Sequence, residues 1–277
     1  MINLIYNNNG VKFMVLKYLS YLEEEEIITT EIGKKIKVLH LNVCKDDNIL
    51  NEWASHFRKH YCSDEEIDDL RSGYGMTRKE FLREIKFPDR SSLGSATRSG
   101  DFSEILVADY VEFILNYFVP RIRYDGKFNK NTSIQGSDLI AFKVDNNISE
   151  NDELMVFEVK AQASNAKAKN KLQEAIEHSK KDFRRVGVSL NAIYQRLRYK
   201  GLIEDAKKVQ RFQNATDRPY KQTYGAAAVH SNFSYSKEIL LDVTTEGHHD
   251  PNLELIVIHR ENLMEFIHEL YERACGC

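Results

Sequence analysis

What the chain has little of narrows it first. Four prolines and thirteen glycines in 277 residues leave little material for long flexible linkers. No apolar run approaches the ~20 residues that cross a bilayer. The first ten residues, MINLIYNNNG, lack the basic start and apolar core of a secretory signal. A cytoplasmic protein with no membrane partner is therefore expected. The four cysteines, Cys44, Cys62, Cys275 and Cys277, form no paired C-x-x-C knuckles, so free thiols are expected in a reducing compartment and no zinc site is expected at the C-terminus. An excess of positive charge is also missing: the net charge of −3 is not that of a strongly basic nucleic-acid binder. His56 and His60, four apart with Cys62 behind them, could present two imidazoles to a metal from one helix. With no fuller ligand set nearby in the sequence, a polar helix face is the expected reading.

What is present is a folded-protein composition. The hydrophobic fraction of 42% and charged fraction of 29% exclude a disordered chain. The length suits one large domain or two modest ones. Charge is unevenly spread: residues 1–159 carry 20 Lys+Arg against 27 Asp+Glu, residues 160–211 carry 14 against 5, and residues 212–277 carry 5 against 10. A block of net +9 between two negative stretches makes a local field that attracts phosphate, although a solvated helical surface gives the same count.

Periodicity predicts strands over 12–18 and 35–43, with the acidic run at 23–26 as a solvated turn or helix end between them. Helices are predicted over 47–61, over 64–72 with Ser63 as N-cap, and over 77–85 with the capping-box pattern T-R-K-E. Residues 89–100, DRSSLGSATRSG, read as a loop at a domain boundary or site. Beyond them come a helix over 101–118, strands over 121–124, 133–144 and 153–161 with turns at 125–126 and 145–147, and helices within 165–213. A strand-like stretch over 225–243, a strand over 253–259 and a helix over 261–274 follow. The expected organisation is an N-terminal α+β region, residues 1–92, as a candidate partner-binding part, then an α/β domain, residues 93–277, with a mixed central sheet flanked by helices.

Three segments carry candidate chemistry. In LMVFEVKAQ, residues 154–162, strand alternation puts Leu154, Val156, Glu158, Lys160 and Gln162 on one face and a wholly apolar set on the other. An acid and an ammonium at the end of a nearly buried strand are costly to desolvate. A bound metal and a phosphate would compensate, and so would a simple ion pair. In IQGSDLIAF, residues 134–142, Asp138 is again an acid within an apolar pattern, and Gly136 permits close approach beside it. Adjacent strands would bring Asp138 to Glu158; a turn-forming Asp is the alternative. In residues 100–115 a helical projection places Asp109 and Glu112, with Asn116, on the exposed face and Glu104 with Ala108, Val111 and Leu115 toward the core. Asp101 and Glu104 also have the spacing of an N-cap and its N3 partner, and both readings stand.

A Glu on a helix, an Asp on one strand, Glu-x-Lys on the next and a helix behind resemble the PD-(D/E)XK nuclease superfamily over residues 93–185, which implies a restriction-endonuclease-like core. A longer pattern runs through W-x-x-H-F-R-x-H-Y-C (53–62), R-S-G-Y-G (71–75), K-F-P (86–88), G-D-F-S-E (100–104), G-S-D-L-I (136–140) and F-E-V-K (157–160). It resembles the HamA family, small subunits of the Hachiman antiphage defence system. The resemblance implies a metal-dependent endo- or exodeoxyribonuclease working on DNA with a large HamB-like helicase. Mg²⁺ or Mn²⁺ would be held by Asp138, Glu158 and the Val159 carbonyl, with Glu104 reaching the same ion or a second one through water. Lys160 would orient the attacking water or stabilise developing charge, and Gln162 would support the set. Lys167, Lys169, Lys171, Lys180, Lys181, Arg184 and Arg185 would hold the nucleic-acid backbone. The alternatives are a restriction or repair nuclease of the same superfamily, and a non-catalytic nucleic-acid-binding or adaptor subunit.

Overall fold

The computed structural model describes residues 4–6, 12–14, 16–144 and 148–277. Strands β1 (Leu4–Tyr6) and β2 (Lys12–Met14) pair antiparallel as a separate ribbon. The strand expected over 12–18 is thus short, and Lys17–Tyr21 forms a 3-10 turn. Then β3 (Leu22–Thr29) and β4 (Lys35–Leu41) form an antiparallel pair. The acidic run Glu23–Glu26 therefore lies in a strand, not a turn. β3 is the outer strand of its sheet and bulges between Glu24 and Glu26. Charge and a bulge on an edge strand discourage pairing with other chains, so polarity there is compatible with β structure.

Helix α1 (Asp47–Lys59) is capped by Asp46, and α2 (Asp64–Ser72) by the expected Ser63, with Glu66 closing a capping box. The Thr77–Glu80 box starts α3 (Arg78–Phe81), which runs on into a π turn over Leu82–Lys86. Helix α4 (Ser92–Asp109) begins nine residues before the expected start, inside the segment read as a loop. Tertiary partners override the weak local propensity of that segment. Thr97 donates to the Asn131 carbonyl at 2.9 Å, and Arg98 donates to the Pro88 carbonyl at 2.7 Å and lies over the Tyr271 ring. A π turn over Tyr110–Ile114 follows α4, and Asn116 ends the run with φ of 59°.

Residues 121–124 are not a strand; their arginines are spent on carboxylates and loop carbonyls, and Phe118 alone bridges to Phe142. The turn at 125–126 is present, and the one expected at 145–147 lies outside the described residues. Next come β5 (Leu139–Lys143), β6 (Glu153–Gln162), α5 (Lys171–Ser179), α6 (Asp182–Tyr199) and α7 (Ile203–Gln210). The ambiguous 225–243 stretch resolves into the end of β7 (Lys221–Ser231) and α8 (Lys237–Leu241), and the chain closes with β8 (Glu254–Arg260) and α9 (Leu263–Ala274).

The sheet order is β3-β4-β8-β7-β6-β5. The inner strands β4, β8, β7 and β6 are mutually parallel, and β3 and β5 are antiparallel to their neighbours. Buried on both faces, β7 and β8 carry the apolar runs AAAV (226–229) and LIVI (255–258) that parallel strands require. Gly225 is obligatory in β7, because a Cβ there would sit 2.2 Å from the Phe157 ring. One core, with Trp53, Phe57, Phe102, Phe266 and Tyr271, lies between the sheet and α1, α4 and α9. The other, with Leu172, Ile176, Leu190 and Val209, lies under α5, α6 and α7. The result is an α/β fold with a mixed sheet flanked by helices. Residues 1–92 and 93–277 share this sheet and the first core: β4 pairs with β8, Ile36 opposite Leu255. Among the described residues no helix is long and apolar enough to cross a membrane.

Candidate functional site

The site forms where β5 stops and β6 continues. The ladder between them includes Leu139 opposite Phe157, and β5 begins at Leu139. β6 runs on to Gln162 while pairing with β7 through Gln162 opposite His230. The edge of β6 beyond Phe157 is thus open on the β5 side, and Asp138 fills it: the Val159 N–H donates to Asp138 Oδ2 at 3.0 Å. N–H and C=O of one strand residue point to the same side, so the Val159 carbonyl also faces the site, 3.5 Å from the Lys160 ammonium. Alternation behaves as expected. Phe157 and Val159 enter the core under α1 and α4, while Glu158 and Lys160 emerge on the opposite face after Leu154 and Val156.

Two fixed cations join three carboxylates here. The Lys160 ammonium contacts Glu158 Oε1 and lies 4.0 Å from Asp138 Oδ2. Arg123 donates through Nε to Glu104 at 2.9 Å and through Nη2 to Asp138 Oδ1 at 3.1 Å. It is itself held by the carbonyls of Ser137 and Ile134. The Tyr124 hydroxyl donates to Glu104 at 2.6 Å. Asp182, in the first turn of α6, accepts from the Ser137 hydroxyl at 2.9 Å, and His178 Nδ1 lies 3.4 Å from Glu158. Burial pushes Glu104 up to about 8, against the pull of Arg123 and with added repulsion from Asp138. Burial and then Asp138 push Glu158 up to about 7, and burial pushes Asp182 up to about 6. An all-oxygen donor set with more acids than bases, its acids reluctant to ionise together, fits a hard divalent cation.

The structure therefore brings together Glu104, Asp138, Glu158 and Lys160. It removes the capping reading of Asp101 and Glu104: both sit within α4, and Asp101 is buried, accepting from Tyr61 at 2.6 Å and pairing with Lys127. Gln162 touches none of the carboxylates. Its amide donates to the Lys167 carbonyl at 2.8 Å and accepts from the Lys169 N–H at 3.0 Å, so it fastens the loop after β6. Glu104, Asp138, Lys160, Gln162, Lys169 and Lys171 line one cleft of about 680 Å³. Lys171 pairs with Glu174 and Lys180 with Glu177. Lys167, Lys181, Arg184 and Arg185 are exposed, and no ion pair to them is found among the described residues. Sequence reading missed Arg123, Tyr124, Asp182 and His178. The one signal was the alternation of R-I-R-Y over 121–124, which suggests a strand rather than a pair of carboxylate clamps.

A second cluster lies beside this one. Asp109 is not exposed, as its helical projection suggests, but fully buried, because α1 covers that face of α4. It accepts from the Tyr18 hydroxyl, from His56 Nε2 at 3.0 Å and from Arg121 Nη2 at 2.7 Å. Burial opposes its ionisation, yet His56 and Arg121 hold its carboxyl well below the usual range. His60 is likewise buried rather than on a solvated polar face, with its Nε2 3.3 Å from His56 Nε2. Burial, with Arg121 and His56 beside it, holds the His60 imidazole well below its ordinary value.

The Glu104 shift has a measurable sign. Its folded-state value, about 8, lies above the ordinary 4.5. The folded state then binds the extra proton, so stability is undiminished below about pH 4.5 and falls as pH rises toward 8. Glu104→Gln should raise the melting temperature in EDTA at pH 8 and change it little at pH 5. A loss at pH 8 would contradict the assignment of Glu104 as a strained acid.

The molecule defined by these observations is an α/β protein that collects carboxylates, a lysine and an arginine at the open end of a sheet strand. The sequence model of the HamA family matches residues 17–274, nearly the whole length, and the chain belongs to that family. It is accordingly a component of the Hachiman antiphage defence system. No curated protein matches the chain at significant similarity.

Proposed function

We propose that this chain is the nuclease of its defence system, hydrolysing phosphodiester bonds of DNA with a divalent cation and working beside a helicase subunit. The observation that carries the reading is the convergence of Glu104, Asp138, Glu158 and Lys160 on the uncovered end of β6. Asp138, Glu158 and the Val159 carbonyl are the groups that would hold Mg²⁺ or Mn²⁺, with Glu104 behind them. When bound, such an ion lowers the pKa of a coordinated water and offsets charge on the phosphate. The chain's own residues do the rest. Arg123 fixes the Asp138 carboxylate and, with Tyr124, the Glu104 carboxylate. Lys160, steered by Glu158 and Asp138, supplies a positive group for the water or the developing oxyanion. Gln162 holds the 166–169 loop so that Lys169 and Lys171 border the cleft. The N-terminal region, residues 1–92, which carries the acidic run at 23–26, is the candidate part for contact with the protein partner.

The deciding experiment is Mg²⁺- or Mn²⁺-dependent cleavage of single- and double-stranded DNA by the chain, alone and with the helicase of its system. Cleavage with neither ion under either condition would favour an adaptor role. The basic block gives a separate expectation. Each phosphate contact contributes about 0.9 to the slope of log affinity against log salt on duplex DNA. Replacing Lys181, Arg184 and Arg185 together by Ala should flatten that slope by about 2–3 in an anisotropy titration. An unchanged slope would remove these residues from the interface.

A further inference from the structure

We propose that His56, His60 and Asp109 form a transition-metal site, separate from the carboxylate cleft and taken by Zn²⁺, that pins α1 to α4. The ligand atoms of the three residues all lie within 4.8 Å of one another. Two of the separations are 3.0 Å, from His56 Nε2 to Asp109 Oδ1, and 3.3 Å, from His56 Nε2 to His60 Nε2. Zinc bonds of 2.0–2.1 Å arranged tetrahedrally set ligand atoms about 3.3 Å apart, so these two edges already have the required length. His56, in the last turn of α1, and His60, its C-cap residue, stand one helical turn apart, and Asp109 meets them from the last turn of α4.

Proton accounting points the same way. Asp109 Oδ1 accepts from Arg121 and, as a carboxylate oxygen, can only accept. The hydrogen between it and His56 Nε2 therefore belongs to His56. His60 Nε2 faces that same hydrogen with a lone pair. Two acceptors, Asp109 Oδ1 and His60 Nε2, crowd around the one proton of His56 Nε2, and a cation takes its place once that proton shifts to Nδ1. Arg121 is the objection, since it touches the same carboxylate oxygen. It has a second partner: Glu112 accepts from its Nε at 2.7 Å and lies 2.6 Å from its Nη2, so the guanidinium stays paired when Asp109 turns to a metal. His56 keeps 20% of its side chain exposed, which leaves a side open for a water as fourth ligand.

Donor chemistry separates the two sites. Two imidazoles select a late transition ion, whereas the oxygen-only cleft selects Mg²⁺ or Mn²⁺. A small cavity of about 30 Å³ is bordered by His60 and Arg121 from one cluster and by Glu104, Arg123 and Asp138 from the other. Arg121 sits two residues before Arg123, so an ion here would stiffen the segment that clamps Glu104 and Asp138.

The test titrates the metal-free full chain with Co²⁺ and then with Zn²⁺. Expected are the visible absorption of tetrahedral cobalt at one ion per chain, its displacement by Zn²⁺, and a Zn²⁺-dependent rise in melting temperature. His56→Gln should weaken binding at least ~100-fold, because even groups behind a ligand change affinity 10- to 100-fold. Glu158→Ala should retain the signal. No tetrahedral signal, one that survives His56→Gln, or one lost in Glu158→Ala overturns the proposal. Anomalous diffraction at the zinc edge from wild-type crystals tests it without any variant: the ion lies between the three side chains, or the site is wrong.

Discussion

Glu158→Ala and Lys160→Ala should each lower DNA cleavage at least ~100-fold, the loss seen when a group that stabilises transition-state charge is removed. Glu158 is one of the carboxylates that would hold the cation, and its pKa, pushed up to about 7 by burial and then by Asp138, marks it as an acid waiting for positive charge. Lys160 is the ammonium that contacts both Glu158 and Asp138. Glu158→Gln keeps the shape and removes the charge, so it should resemble Glu158→Ala in activity and the wild type in stability. Single-turnover cleavage in Mg²⁺ measures the first, and urea unfolding the second. Wild-type cleavage by both alanine variants would dismiss this cleft as the catalytic centre.

Asp109→Ala should cost about 3–5 kcal/mol of folding stability, the loss typical of removing one partner from a buried charge network. The substitution strips an acceptor from Tyr18, His56 and Arg121 at once, and Arg121 keeps only Glu112. Urea unfolding in EDTA at pH 7 isolates this effect from any metal. A loss below about 1 kcal/mol would mean that the network relaxes around the gap.

How much of this could be read from the sequence depends on whether the cause is local. The alternation of 154–162 was legible because side chains on a strand repeat every two residues, whatever surrounds them. The caps at Ser63 and Thr77 were legible for the same reason: both hydrogen bonds close within three residues. Local polarity misled at 23–26, because a sheet edge meets solvent as a turn does. It misled again at 89–100, where Thr97 and Arg98 find partners at Asn131 and Pro88. A helical projection grouped Asp109 with polar residues but carried no information about what covers that face; α1 does, from more than fifty positions upstream. Arg123 was illegible, since nothing in spacing ties it to Glu104 or Asp138. The mixed sheet flanked by helices and the likeness to the HamA family were readable from patterns spread over most of the chain, and both are found.

The pairing of β4 with β8 sets a schedule for synthesis. Ile36 meets Leu255, 219 positions later in the chain. At ribosomal rates of about 5–20 residues per second, the first hairpin waits roughly 10–45 s for the strand that joins it to the rest of the sheet. During that time β6 has left the ribosome with its acidic end, but β7 has no β8 beside it and α9 has not closed the core beneath Trp53 and Phe57. A nascent or prematurely ended chain therefore lacks the frame that holds Asp138, Glu158 and Lys160 in register. On the proposed nuclease reading, the site has its full frame only once β8 and α9 have been made.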